Sequence, residues 1–226
     1  IEISTERLTE IFFELEEKGA HNINLVTGDH FIPQIADAIS LAKDQDFDKP
    51  FIFNCSGYET VESLKRLEGL IDVYLPDFKY MEAEPARIYS GAEDYPEVAG
   101  KALDEMVRQC PVCEFDQNDS DRLIRKGVIV RHLLLPGQVM NSKKVLKYLY
   151  EKYKNTIYIS IMSQYTPMTG IADRFPELSG RVKRKEYDKL VDYALGLGIE
   201  NAFIQEMGVA KESFIPGFDN EGVTRS

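Results

Sequence analysis

The strongest constraint on the fold of this chain is a repeated order of short apolar strand, polar turn and helix. Strands are predicted at residues 21–27, 51–54 and 71–80, and a helical pattern follows each of the first two. A spacing of roughly 25 residues is typical of right-handed crossovers between neighbouring parallel strands. The sequence therefore predicts an α/β fold built on a parallel sheet.

The same order returns after a long interruption. Strands are predicted at residues 128–135, 157–162 and 202–205, with helices between them. Residues 81–126 contain one predicted helix, at about 96–109, and Pro85, Gly91 and the polar run 116–121 predict loop for the remainder. We therefore expect one domain over residues 1–226, with an insertion at about 81–126.

Composition excludes several classes of protein. The formal net charge of −11 argues against nucleic acid as a partner, because nucleic-acid binding depends on clustered Lys and Arg. No apolar run approaches the roughly 20 residues that span a bilayer, and the first residues lack a signal-peptide pattern. Three cysteines in 226 residues exclude a disulfide scaffold. A soluble, cytoplasmic protein without a membrane partner is the expectation.

Polar side chains stand where the predicted strands end. They are Thr27, Gly28 and Asp29, then Asn54, then Asp77 and Lys79, then Arg131 and His132, and finally Tyr165. Because parallel strands present their carboxyl ends at one edge, these groups are predicted to line one cleft. Lys or Arg can hold a carboxylate, Asp29 an ammonium, and Asn54 or Asp77 sugar hydroxyls, so the set suits a zwitterionic ligand. A surface ion pair between Asp77 and Lys79 is the alternative.

Motifs of several common enzyme classes are absent from the sequence. There is no GxGxxG or GxxxxGK[ST] phosphate loop and no GxSxG elbow. His21, His30 and His132 are scattered without an HExxH pair, so a zinc hydrolase is not supported, and His132 is predicted to be a hydrogen-bonded core residue. Cys110 and Cys113 form one CxxC pair without a second, which favours two loop thiols over a zinc site.

Seven ordered segments resemble radical S-adenosylmethionine (SAM) proteins related to pyruvate formate-lyase activating enzyme. They are NINLVT at 22–27, NCSGYE at 54–59, DVYLPDFKY at 72–80, EMVRQ at 105–109, GVIVRHLLLPG at 127–137, SIMSQY at 160–165 and FIP at 214–216. The resemblance runs nearly from end to end. It implies a partial (β/α) barrel of the TIM type, in which the first strand of the family and its cluster loop are missing from this chain.

The resemblance also implies cofactors and a reaction. In that family a CxxxCxxC loop holds a [4Fe-4S] cluster, SAM chelates the cluster, and one electron converts SAM into a 5′-deoxyadenosyl radical that abstracts hydrogen from the substrate. The chain begins just after the place of that loop, so the ligands are expected before Ile1. None of Cys55, Cys110 and Cys113 has the required spacing. The chain alone is therefore expected neither to hold the cluster nor to cleave SAM.

Residue by residue, the resemblance implies a SAM site. Thr27, Gly28 and Asp29 take the place of the family's Gly-Gly-Glu segment at the SAM ammonium, Asn54 replaces an acidic ribose-binding residue, Asp77 and Lys79 match an Asp-x-Lys pair, and Tyr165 replaces a histidine near the adenosine. No residue is assigned a catalytic role. Implied partners are a glycyl-radical-type protein or a small-molecule substrate, and a reductant such as flavodoxin or ferredoxin.

Two other functions remain open from the sequence. A barrel enzyme of the aldolase type would form an imine on Lys79, although an imine-forming lysine needs an uncharged amine and a neighbouring carboxylate such as Asp77 favours the charged form. A protein-docking module without catalytic activity would not bind SAM at all.

Overall fold

The structure, a computed structural model, describes residues 1–116, 123–205 and 222–223. Its sheet contains β1 (Ile23–Val26), β2 (Phe51–Cys55), β3 (Val73–Pro76), β4 (Glu114–Phe115), β5 (Ile124–Leu133), β6 (Tyr158–Met162) and β7 (Ala202–Ile204). Six strands are parallel in the order β1-β2-β3-β5-β6-β7, and the two-residue β4 pairs antiparallel with β5. The predicted α/β fold with a parallel sheet, open like a partial barrel, is confirmed.

Helices connect the strands. They are α1 (Thr5–Glu17), α2 (Ile32–Lys43), α3 (Val61–Lys65), α4 (Ala83–Ser90), α5 (Tyr95–Gln109), α6 (Val139–Tyr153), α7 (Ile171–Arg174) and α8 (Arg184–Leu197), with 3-10 turns at Asp29–Phe31 and Pro176–Leu178. Ser4 caps α1, because its hydroxyl accepts a hydrogen bond from the Arg7 N–H at 3.2 Å. No helix in these described ranges is long and apolar enough to cross a bilayer.

The two faces of the sheet differ in burial. Along β5, Val128, Val130 and His132 are fully buried, whereas Ile129 and Arg131 between them are only half-buried. The buried set faces the helices, as successive side chains of a strand point to opposite faces. The other set lies on the face that we call the open face.

The insertion is more ordered than the sequence predicted. Residues 83–90 form α4, so the expectation of loop there was wrong. Pro85 was interpreted as a helix breaker, but it lies in the first turn of α4, where a missing N–H breaks no intrahelical hydrogen bond. Gly91 ends the helix with a left-handed φ of 66°.

The EMVRQ segment binds α5 to the sheet. Gln109 accepts a hydrogen bond from the Tyr74 hydroxyl at 2.6 Å and donates to the Leu64 carbonyl and to Glu105, at 3.0 and 2.7 Å. The Arg108 guanidinium beside Glu105 lowers the pKa of that carboxyl to about 2. The EMVRQ motif therefore serves to pack α5 against the sheet and lies away from the strand exits.

Two sequence features lie outside the described residues. They are most of the polar run 116–121 and the FIP segment at 214–216.

Candidate functional site

Parallel register brings the predicted site residues to one edge of the sheet. Val26 pairs with Asn54 and Asn54 with Leu75, and one step further Asp77 bridges to Arg131. Partners in adjacent parallel strands share a face, so Asn54, Asp77 and Arg131 all lie on the open face. The exits of β2, β3 and β5 therefore lie side by side at this edge of the sheet.

Asp77 is the centre of a charged cluster. Its Oδ2 lies 2.8 Å from Lys79 Nζ, and its Oδ1 lies 2.8 Å from Arg131 Nη2. β3 ends at Pro76, so the pair follows the strand instead of lying within it as predicted. The Arg131 Nε is buried and has no hydrogen-bond partner within the described parts of the chain. One carboxylate thus holds two cations and leaves part of a guanidinium available to an anionic ligand.

Tyr95 ties the exits of β2 and β3 together. Its hydroxyl accepts a hydrogen bond from the Lys79 N–H at 3.1 Å and lies 3.0 Å from the carbonyls of both Ser56 and Asp77. Burial raises the pKa of Tyr95. The insertion therefore supplies a side chain that fixes the backbone on which Lys79 stands.

Gly57 permits this close approach of the two strand exits. A Cβ atom there would lie 2.0 Å from the Asp77 carbonyl oxygen, and the residue has a φ of 77°. Any other side chain would push the exits of β2 and β3 apart.

Asp29 lies beside a second carboxyl group, Glu59. Glu59 is 6% exposed, and Ser56 donates to its Oε1 from N–H and hydroxyl, at 3.1 and 2.9 Å. Burial and the neighbouring Asp29 carboxyl raise the pKa of Glu59 to about 6. Asp29 Oδ1 and Glu59 Oε2 are buried without a donor among the described residues. Such atoms indicate a place for a cationic ligand group.

Thr27 and Gly28 shape the turn that leads to Asp29. Thr27 has a φ of 55°, a sparsely populated conformation for a β-branched residue, and its N–H donates to the Asn54 carbonyl at 2.9 Å. Strain of this kind is concentrated at functional sites. A Cβ atom at Gly28 would lie 2.6 Å from the Ile35 side chain and 3.5 Å from the Phe53 ring. This glycine therefore serves packing as well as the turn.

Asn54 and Tyr165 are two further predicted site residues, and they lie at the ends of different strands, β2 and β6. Asn54 is 9% exposed on the open face, between Val26 and Leu75. Tyr165 follows β6, and its hydroxyl donates to the Leu178 carbonyl at 2.9 Å. The hydroxyl proton of Tyr165 is therefore already used within the protein.

His132 is buried behind the site, on the face that the helices cover. Its Nδ1 lies 2.7 Å from the Phe78 carbonyl, and burial lowers its pKa to about 4. The imidazole is therefore neutral, with its proton on Nδ1. The prediction of a fully hydrogen-bonded core histidine was right for Nδ1 and wrong for Nε2, which has no partner in the described chain.

The cysteines do not fit an iron–sulfur cluster. Cys55 is 3% exposed at the end of β2, and burial raises its pKa. Cys110 donates to the carbonyls of Ile71 and Asp72, and Cys113 to those of Val128 and Thr156, at the opposite end of the sheet. No group of three potential metal ligands exists among the described residues.

A cavity of about 570 Å³ adjoins the exit of β1. Leu8, Val26, Gly28 and Ile35 are among the residues that line it. Its volume falls in the range of small-molecule sites.

Sequence reasoning missed Glu59 and Tyr95 as members of the site. Glu59 lies five residues beyond Asn54 on a turn, and its meeting with Asp29 depends on the pairing of β1 with β2. Tyr95 comes just before Pro96, whose position predicts a helix start but gives no indication of what the tyrosine contacts.

Comparisons with known proteins agree with this architecture. No protein-family model matches the chain. A Methanocaldococcus jannaschii protein described as uncharacterized is 27% identical over 176 residues, which cover 76% of this chain and 46% of that protein. The chain thus spans about half the length of this relative.

A domain of a pyruvate-formate lyase-activating enzyme from Bacteroides vulgatus is similar in structure. The TM-score is 0.57 over 83% of this chain and 100% of that domain, at 11% sequence identity. At this identity the likeness concerns the fold. The chain has the same partial α/β-barrel fold as this domain of an activating enzyme.

Proposed function

We propose that the chain is the barrel of a radical SAM enzyme similar to pyruvate formate-lyase activating enzyme. The observation that carries the proposal is the set of uncompensated polar atoms at the carboxyl ends of the strands, of both charge signs. Asp29 and Glu59 present buried carboxyl oxygens, and Arg131 presents a buried N–H beside Lys79. An α-amino acid head group carries the complementary ammonium and carboxylate.

Each side chain has a role in holding the ligand. Asp29 binds the ammonium, Lys79 and Arg131 bind the carboxylate, and Asn54 and Asp77 accept hydrogen bonds from ribose hydroxyls. Tyr165 offers its ring to the adenine, and Thr27 and Gly28 set the turn. Bound SAM supplies the adenosyl group that becomes the hydrogen-abstracting radical. The protein orients SAM and excludes water and stray hydrogen donors.

The residues present do not form an iron–sulfur site, so no step is assigned to such a cluster in this chain. A CxxxCxxC motif would have to supply the three thiolate ligands of such a cluster. The substrate is a glycine of a glycyl-radical-type protein or a small molecule, and the reductant is of the flavodoxin or ferredoxin type.

Binding of two nucleosides tests the site. S-adenosylhomocysteine contains the whole head group, and 5′-methylthioadenosine lacks its ammonium and carboxylate. We expect both to bind in calorimetric titrations, and Lys79→Ala to weaken the first by about 10–100-fold while changing the second little. Lys101→Ala, which removes a lysine paired with Glu97 on α5, is the control. Failure of both nucleosides to bind would refute the proposal and leave the docking module.

Cluster chemistry is tested on a protein that carries a CxxxCxxC segment together with this chain. Reconstituted anaerobically with iron and sulfide and then reduced, that protein should turn brown and release 5′-deoxyadenosine from SAM. A colourless product without this nucleoside would contradict the proposed reaction.

The aldolase alternative finds no support at Lys79. Its ammonium is held 2.8 Å from Asp77, whereas imine formation needs a desolvated, uncharged amine. Borohydride treatment with a carbonyl compound is expected to leave Lys79 unmodified.

A further inference from the structure

The resemblance to radical SAM proteins assigns no role to the carboxyl group of Glu59. Two hydrogen bonds from Ser56 to its Oε1 fix its orientation. Its Oε2 remains without a donor among the described residues, and the Asp29 carboxyl is a neighbour of the Glu59 carboxyl. The two carboxyl groups come from different strand exits and meet only because β1 pairs with β2.

Two adjoining carboxyl groups with buried oxygens cannot both be ionised without cost. Each ionised oxygen that lacks a donor loses its hydration, and the two charges repel each other. A single proton between Asp29 and Glu59 satisfies both orphan oxygens in the empty site. A primary ammonium satisfies them too, because it carries three donors and a positive charge.

We infer that Glu59 shares a proton with Asp29 in the empty protein. Glu59 releases that proton when the ammonium of an α-amino acid ligand binds between the two carboxyl groups. The inference rests on the proposed function and extends it, because it makes ligand affinity depend on pH. Asp29 contacts the ligand, and Glu59 is a positioning residue that sets the charge of the pair. The proton passes to the solvent, and no other bond changes.

Neighbouring elements bring other titratable groups toward Glu59. Cys55 on β2 and Tyr95 on α5 face Glu59, and burial raises the pKa of both, so they stay neutral between pH 5 and 8. Asp77, with Lys79 and Arg131, forms the charged cluster one strand further away. With a pKa of about 6, Glu59 is the group expected to change charge here.

The test is calorimetric titration of the wild-type chain with S-adenosylhomocysteine between pH 5 and 7.5, in buffers of different ionisation enthalpy. We expect release of about three-quarters of a proton per ligand at pH 5.5 and almost none at pH 7.5. The Kd should be about tenfold weaker at pH 5 than at pH 7. Binding of 5′-methylthioadenosine, which has no ammonium, should release no proton.

Glu59→Gln is the matched variant, because the amide oxygen can still accept both hydrogen bonds from Ser56. It should remove the pH dependence of S-adenosylhomocysteine binding and weaken that binding about five- to tenfold at pH 7. Glu62→Gln, on the exposed side of α3, should behave as the wild type.

The outcomes separate this inference from the proposed function. Binding of both nucleosides without proton release, or with the same pH dependence for both, overturns the inference and leaves the proposed function standing. If neither nucleoside binds, both fall. Proton release with S-adenosylhomocysteine alone, lost in Glu59→Gln, supports the inference, because a purely structural role of Glu59 would not link the proton to the ligand's ammonium.

Discussion

The two ends of the parallel sheet differ in whether their polar groups have partners within the described chain. At the amino ends of the strands, Asp72 accepts from the Phe51 N–H at 2.9 Å, Lys43 donates to the Gly69 carbonyl, and Arg125 pairs with Asp116. At the carboxyl ends, buried atoms of Asp29 and Glu59 stay without partners in the described chain.

All buried side-chain N and O atoms that lack a hydrogen-bond partner within the described ranges follow this difference between the two ends. These atoms belong to Asp29, Glu59, Arg131, His132, Ser142 and Gln205, which end or follow strands or begin the helix after β5. Each such group costs about 1–3 kcal/mol of stability. Among the described residues, the unpartnered buried atoms thus lie toward the carboxyl ends of the strands, where the proposed ligand site also lies.

Substitution of two glycines with the same φ gives the largest expected difference between the ends. Gly57→Ala places a Cβ 2.0 Å from the Asp77 carbonyl oxygen, so a loss of roughly 3–5 kcal/mol is expected. Gly69→Ala, also at a φ of 77° but with nothing within 4 Å, should cost about 1 kcal/mol. Urea unfolding measures both. Equal losses would show that the exits of β2 and β3 are free to separate.

The next largest difference in stability is expected from removal of one tyrosine hydroxyl at each end of the sheet. Tyr95→Phe deprives the Lys79 N–H and the carbonyls of Ser56 and Asp77 of their partner and should cost roughly 2–3 kcal/mol. Tyr153→Phe, in the last turn of α6, loses one hydrogen bond to Asp104 and should cost about 1 kcal/mol. Only the first should weaken nucleoside binding, and a loss of binding in both would contradict the contrast.

The carboxyl pair should make the protein less stable at neutral pH. The pKa of Glu59 is raised from 4.5 to about 6 on folding, so the folded state binds the proton more tightly. The resulting stabilisation is full below pH 4.5 and is lost as pH rises through 6. Glu59→Gln should therefore raise the free energy of unfolding by about 2 kcal/mol at pH 7.5 and not at pH 4.5. The same gain at both pH values would exclude an ionisation effect.

The smallest effect concerns backbone strain. Thr27→Gly relieves a φ of 55° and should stabilise the fold by about 0.5–1 kcal/mol, while reducing nucleoside affinity because the exit of β1 becomes more flexible. Asp46→Gly, at a φ of 61° after α2, should give a similar or smaller gain with unchanged affinity. Thermal unfolding and calorimetric titration together check the pair. Unaltered affinity in Thr27→Gly would show that the strain has no part in binding.

Local sequence patterns predicted most of the elements because each depends on neighbours in the chain. The apolar run at residues 157–162, for example, predicts β6, which the structure has at Tyr158–Met162. The failure at α4 has a local cause as well, since a proline in a first turn is compatible with a helix.

The sequence by itself determined the order of strands and helices and the polar residues at the strand exits, because periodicity and turn chemistry act over a few residues. Only the tertiary structure decided which exits touch. The pairing of β1 with β2 places Asp29 against Glu59, and the insertion brings Tyr95 between the exits of β2 and β3. Such contacts join residues far apart in the chain, and it is burial, set by the whole fold, that turns two ordinary carboxyl groups into a proton-sharing pair.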